Sequence, residues 1–245
     1  FALWAPTARN VSLCIYPSGA GSARSLEPMQ RDGATGAWSA TIGRDLSGRY
    51  YTYLVDVHVD GVGIVRNRVT DPYAVSLTTN SRRAYVADLQ SPRLKPPGWD
   101  ATRSPDRAQA QTDAVIYELH VRDFSIGDRT VRPEYRGKYL AFTQDDSQGM
   151  RHLRALAAAG VTDVHLLPVF DFGSVPEAGC VTPSPAGPPD GESQQAAVTA
   201  VSARDCFNWG YDPVHFTAPE GSYATDPSDG AARIIEFRRM VQALH

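Results

Sequence analysis

The 245-residue sequence predicts a two-part chain, an all-β sandwich followed by the opening of an α/β domain. Three observations carry that prediction. Residues 1–89 alternate apolar and polar side chains with a period of two. Residues 91–112 lose the alternation and gain prolines. Residues 114–169 then read strand, helix, strand, which is the order of a parallel pair with a right-handed crossover.

In the first part, Val11, Leu13 and Ile15 alternate with Ser12 and Cys14, and Trp38, Ala40 and Ile42 alternate with Ser39 and Thr41. Tyr51, Tyr53, Val55, Val57 and Val59 form a longer run of the same kind. Strict alternation turns one face of a strand into a core and the other toward solvent. Asp60-Gly61 is a hairpin turn signal, and Gly/Ser/Pro clusters separate the other runs. Asp71-Pro72-Tyr73 breaks the pattern, and Tyr85 to Leu89 is expected as a last strand. Trp4 and Trp38 fall in the apolar register and are expected in the core rather than as exposed platforms. The sandwich therefore spans residues 1–90.

Residues 91–112 hold Pro92, Pro96, Pro97 and Pro105 among polar residues, the composition of a linker or a surface-wrapping connection. The second part runs over residues 113–245. Ala114 to Val121 is nearly continuous in bulky residues and reads as a buried-type strand. Ser147 to Ala159 places Met150, Leu153, Leu156 and Ala157 at helical spacing, with Gly160 as the stop. Val161 to Val169 is the second buried-type strand. Residues 172–206 are rich in Pro, Gly and Ala and lack periodicity, which predicts a long insertion rather than an ordinary connection. At the end, Ile234, Phe237, Val241 and Leu244 line one helical stripe, with Asp226 or Ser228 as N-cap.

Between the insertion and that helix lies the most unusual stretch, Asn208-Trp209-Gly210-Tyr211-Asp212-Pro213, continued by Ala218 to Pro227. Glycines and prolines set a loop's path, while Trp and Tyr offer flat faces on which a sugar ring can lie. The same residue types also suit a long ordered loop whose aromatics merely pack it down.

Composition excludes several classes of function. A net charge of -3 with no Lys/Arg run argues against a nucleic-acid surface. No apolar window is long enough to span a bilayer. No phosphate-cradling glycine loop is present, and the six histidines show no i, i+4 pairing and no Cys/His ligand spacing. No cofactor or catalytic metal is expected. Three cysteines, Cys14, Cys180 and Cys206, permit at most one disulfide and leave its pairing open. The chain opens on Phe1 rather than Met and reads as trimmed, so any targeting signal would lie outside it and the compartment is left open.

Several motifs are similar to one enzyme family. Phe1-Ala2-Leu3-Trp4-Ala5-Pro6-Thr7-Ala8, with Val11 and Leu13, resembles the sandwich of starch-debranching enzymes, a carbohydrate-binding module of family 48 type. Tyr117 to Ser125 and Gly160 to Phe170 resemble the first two barrel strands of glycoside hydrolase family 13. The Asn208–Pro213 and Pro219–Pro227 motifs resemble those of type I pullulanases and limit dextrinases in particular. The resemblance implies an immunoglobulin-like sandwich followed by a (β/α)8 (TIM) barrel, ending after about two βα units.

It also implies a branched α-glucan as partner (pullulan, amylopectin or limit dextrin) and hydrolysis of α-1,6 branch linkages with retention. Tyr211 would stack on the sugar beside the scissile bond, Asp212 would hold the same glucosyl unit, and Asn208 and Trp209 would shape the loop. A structural calcium is compatible with the resemblance, with no ligand set named. Retaining glycosidases need a carboxylate nucleophile and a carboxylic acid on either side of the bond, and the family takes both from later strands. This chain is therefore expected to carry no catalytic residue, with Asp123 and Asp171 in structural roles. Two strands alone would also leave an apolar sheet edge and a poorly folded second half. The alternative is a non-catalytic α-glucan-binding or scaffold protein.

Overall fold

The computed structural model describes residues 1–105, 110–188 and 190–245. The first part contains β1 (Ala2–Trp4), β2 (Asn10–Tyr16), β3 (Ser25–Pro28), β4 (Gln30–Arg31), β5 (Ala37–Ser39), β6 (Tyr50–Val59), β7 (Gly63–Val69) and β8 (Ala84–Tyr85). The second contains β9 (Ile116–Leu119), α1 (Val121–Ser125), α2 (Gln148–Ala158), β10 (Asp163–Leu166), β11 (Phe170–Phe172), α3 (Glu192–Val201), β12 (Pro213–Pro219) and α4 (Gly230–Leu244). Among the described residues no helix is long and apolar enough to cross a membrane.

Two sheets, ordered β1-β5-β4 and β3-β2-β6-β7 with β8 added to β6, form the expected sandwich. The register pairs Val11 with Val55, Leu13 with Tyr53 and Ile15 with Tyr51. Directly opposed residues share a face, so all six point into one core with Trp38, Met29 and Leu77. The Asp60-Gly61 signal makes the β6–β7 hairpin, with Gly61 at φ 72°. That hairpin's return strand, Gly63–Val69, was not anticipated because its residues are mostly exposed.

Three expectations for this part are corrected. The outer face of β2 is not solvated, because Cys14 and Tyr16 pack with Tyr50 under Tyr85, and the Arg83 guanidinium lies 3.8 Å over the Tyr16 ring. Trp38 is core, but Trp4 is 71% exposed. The register explains why: Leu3 pairs with Trp38 and Trp4 with Ala37, so the two indoles leave opposite faces of the β1–β5 pair. The last strand is Ala84–Tyr85 alone, although Val86 still bonds the Arg49 carbonyl just before β6.

The proline-rich connection wraps the surface of α4. Leu94 is buried, and Arg238 donates to the Leu89 and Leu94 carbonyls while lying 5.0 Å from the Trp99 ring. Residues 106–109 of the expected linker lie outside the described residues.

In the second part β9 and β10 pair in parallel, Ile116 with Asp163 through Leu119 with Leu166, joined through α2. Ser147 caps α2 and Gly160 follows it at φ 111°, as the pattern predicts. Both strands are shorter than expected. Val121 begins α1, whose N-terminus is capped by His120 Nδ1 accepting from Asp123 N at 3.3 Å. Beyond β10 the chain turns at Pro168 into β11, which pairs antiparallel with β12. For α4 the cap is neither Asp226 nor Ser228 but Asp229, whose Oδ1 accepts from Ala231 N at 2.8 Å. Asp226 instead accepts from Ser228 N and Oγ and shapes the preceding turn.

A second core joins Leu119, Tyr139, Phe142, Met150, Leu153, Tyr223 and Met240, with Phe124 stacked on Phe142 at 4.3 Å. This corrects the expectation of a poorly folded second half. The packing surface missing from the strand pair is supplied by α2, α4 and the helical turn Tyr139–Thr143. The strand pair itself stays open, with Val115 and Ile116 exposed as expected of an uncovered sheet.

Candidate functional site

The segment Phe207 to Tyr211 alternates in burial: Phe207, Trp209 and Tyr211 are exposed, while Asn208 and Gly210 are buried. Phe207 and Trp209 flank buried Asn208, an alternation that turns both outward, whereas left-handed Gly210 redirects the chain before Tyr211. Phe207 and Trp209 lie edge to face at 6.0 Å, and Tyr211 is 68% exposed. Asp212 follows on the surface. The phrase Asn-Trp-Gly-Tyr-Asp-Pro pointed to Trp209 and Tyr211. Phe207 was missed, although its i, i+2, i+4 spacing with them was visible.

The inward residues hold this row in place. Asn208 Oδ1 accepts from the Tyr223 hydroxyl at 3.0 Å and lies 3.2 Å from His120 Nε2. His120 stands at the carboxyl end of β9, and its ring also meets Tyr223 edge-on at 6.0 Å. Gly210 takes φ 73°, and a Cβ there would lie 2.9 Å from the Pro168 carbonyl oxygen. Only glycine tolerates both the left-handed backbone and that approach. The row thus crosses the carboxyl ends of the parallel pair. Gly173 N donates to the Asp212 carbonyl at 3.0 Å, tying the exposed acid back to the end of β11.

Cys180 and Cys206 form a disulfide that closes the insertion just before the row, and Val181 exchanges backbone bonds with Arg204 and Cys206 beside it. Cys14 is the free, buried thiol. The insertion reads from sequence as a long stretch without periodicity, and it contains α3, which has no buried residue among its ten. Helical periodicity arises from burial of one face, so this helix left no such signature.

The chain also contains a buried polar network. Asp171, fully buried, accepts from Ser81 Oγ at 2.9 and 2.7 Å and from His215 Nδ1 at 2.7 Å. Arg233, also fully buried, donates to both oxygens of Glu177 at 2.8 and 2.6 Å and lies 3.5 Å from Asp171. Glu220 accepts from Phe172 N at 3.0 Å and Ser222 N at 2.7 Å. Burial, reinforced by Glu177, pushes the Glu220 carboxyl up to about 8. Burial also raises Glu177, against the pull of Arg233. Asp171 therefore has the structural role expected of it, while Asp123 pairs on the surface with Arg122 at 2.6 Å.

Asp171, Glu177 and Glu220 bring carboxylate oxygens within 4.8 Å of one another. A calcium ion takes six to eight oxygens, but here the guanidinium of Arg233 already supplies the positive charge, and the oxygens are bonded to donors of the chain. The cluster does not fit a calcium site. No described residue set is assigned to a cofactor.

Comparison with known proteins agrees with the motifs. Residues 1–74 match the family model for carbohydrate-binding module 48 (isoamylase N-terminal domain). The chain is 45% identical to the chloroplastic pullulanase 1 of Arabidopsis thaliana and 42% identical to the pullulanase of Klebsiella aerogenes, with 99% and 100% of this chain aligned. It spans 26% of the length of each, about a quarter of the curated relatives it matches. A crystal structure of Klebsiella pneumoniae pullulanase complexed with maltotriose superposes with a TM-score of 0.88 at 40% identity, covering 100% of this chain and 27% of that one. The chain is thus similar over its whole length to part of the pullulanases, and its residues 1–74 match the carbohydrate-binding module 48 model.

Proposed function

We propose that this chain forms one wall of the glucan site of a debranching α-1,6-glucosidase. The observation that carries the reading is the exposed row Phe207, Trp209 and Tyr211, mounted on buried Asn208 and Gly210 at the carboxyl ends of a parallel strand pair. Tyr211 offers its face to a glucosyl ring, Asp212 its carboxylate to the ring hydroxyls, and Trp209 extends the platform. The occurrence of maltotriose in a related pullulanase supports an α-glucan as partner. The nature of that glucan, whether pullulan, amylopectin or limit dextrin, follows from the same kinship.

In this reading residues 1–90 are the binding-module sandwich and 91–112 the connection. Residues 113–245 contribute the first βα units of a (β/α)8 barrel, where sites form at the carboxyl ends of strands. Retaining hydrolysis then requires two carboxyl groups flanking the bond. No residue of this chain is assigned to either role, so it binds glucan without cleaving it. Isothermal titration of the chain with maltotriose tests the wall. Tyr211→Ala should weaken binding about tenfold, the scale of a central aromatic contact. Undiminished binding by that variant would sink the reading. Pullulan hydrolysis by the chain alone would overturn the assignment of the acids elsewhere.

A further inference from the structure

The antiparallel β11–β12 pair beside the glucan wall has an irregular ladder, bonded through the backbone at its two ends by Gly173 N to the Asp212 carbonyl and Glu220 N to the Val169 carbonyl. β11 pairs with β12 through Phe170–Pro219, Asp171–His215 and Phe172–Pro213, and the register shifts on both sides of Asp171. Between those ends the ladder is interrupted twice in three residues, so its middle is poorly fixed by backbone bonds. What crosses the strand pair at that point is a side-chain bond, His215 Nδ1–H to Asp171 Oδ2 at 2.7 Å, with both residues buried. His215 lies three residues after Asp212, and Phe172 on β11 faces Pro213, next to Asp212.

Both ends of this pair are gripped by the sandwich. Ser81 Oγ donates toward both Asp171 oxygens, at 2.9 and 2.7 Å, and Thr70 Oγ1 lies 3.0 Å from His215 Nε2. The turn bearing Ser81 is unusual. Asn80 and Ser81 both take φ 54°, and they are the only described non-glycine residues with positive φ. Consecutive left-handed residues cost free energy and persist only where surrounding contacts over-determine them. Those contacts come from the second half: Asn80 N donates to Glu177 Oε2, and Glu177 N donates back to Asn80 Oδ1 at 3.0 Å.

We infer that Ser81 and Thr70, acting from the sandwich through the Asp171–His215 pair, are positioning residues for the Tyr211–Asp212 wall. The module-like first half then serves glucan binding by setting the register of a strand pair that it does not contain. As a claim about sugar affinity this rests on the proposed glucan site. As a claim about the strand pair it does not, and the two can be tested apart.

The test uses the whole 245-residue chain. Ser81→Gly removes the hydroxyl while relieving the left-handed backbone, so lost folding cannot be confused with lost positioning. Thr70→Val removes the other grip, and Thr70→Ser restores the hydroxyl. Hydrogen–deuterium exchange without sugar should rise at least tenfold over residues 211–217 in Ser81→Gly and Thr70→Val, stay near wild type in Thr70→Ser, and not change over 116–119. Maltotriose binding should weaken at least threefold in the first two variants only. Unchanged exchange over 211–217 in both variants overturns the inference, whatever the sugar does. Exchange that rises locally while neither wild type nor variant binds maltotriose upholds the strand-pair coupling and removes the glucan reading instead.

Discussion

Replacing Arg233 with Met should be among the most damaging single changes in this chain. Arg233 is fully buried, bonds Glu177 through two nitrogens, and also donates to the carbonyls of Pro219 and Pro227. Met fills much of the same volume but leaves Glu177 and Asp171 without their nearest guanidinium. Removing one partner of a buried ion pair costs about 3–5 kcal/mol. The two carbonyls that lose their donor add about 1 kcal/mol, and proton uptake by the stranded carboxylates offsets a similar amount.

The net loss near neutral pH is about 4 kcal/mol, which in a domain of this size lowers Tm by roughly 8–16 °C. Scanning calorimetry reads it directly. The double variant Arg233→Met, Glu177→Met removes the stranded charge and should recover at least half of the loss. A single-variant shift below about 3 °C, or a double variant no better than the single one, would refute the argument that the network is held by charge compensation.

Glu220 gives a pH signature. Its carboxyl is raised from 4.5 to about 8, so the folded state binds that proton more tightly than the unfolded chain, and the stabilising contribution is complete below 4.5 and lost as pH rises through about 8. Tm should decline across that window, and Glu220→Gln should flatten the decline; an unchanged slope counts against the assignment. Phe142→Ala, at a fully buried ring stacked on Phe124, should cost about 3–5 kcal/mol by urea unfolding, whereas a loosely packed second half would lose under about 1 kcal/mol. Gly210→Ala must adopt φ 73° beside the Pro168 carbonyl. The left-handed backbone costs about 1–2 kcal/mol and the forced contact about 1–3 more. Thermal melting checks the sum, and wild-type stability would mean that the loop path can relax.

Much of the chain was legible before any coordinates. The alternation of Val11, Leu13, Ile15 and of Tyr51, Tyr53, Val55 is the direct imprint of a one-sided core, and Ser147 and Gly160 mark the ends of α2 because helix termini need particular groups. The motif from Asn208 to Pro213 was recognisable through its resemblance to a known family, whereas its glycine, proline and aromatic residues alone suited an ordinary ordered loop equally well. Periodicity reports only burial within one element. It therefore misread Trp4, whose outward face is chosen by pairing with Ala37, and it missed β7 and α3, which bury almost nothing.

Tertiary structure alone decided the rest. Asp171, His215, Arg233, Glu177 and Glu220 are scattered over 63 positions, and Ser81 lies far upstream of all five. Each is an ordinary polar residue in its local context. Only when the two halves close on one another do they lose water, and a buried charge without water must find its partners within hydrogen-bonding reach. Sequence therefore determined the one-sided core strands, helices α2 and α4, and the Trp209–Tyr211 motif. Which side chains hold that motif in place was decided by where desolvation occurs, a property of the folded chain rather than of any segment of it.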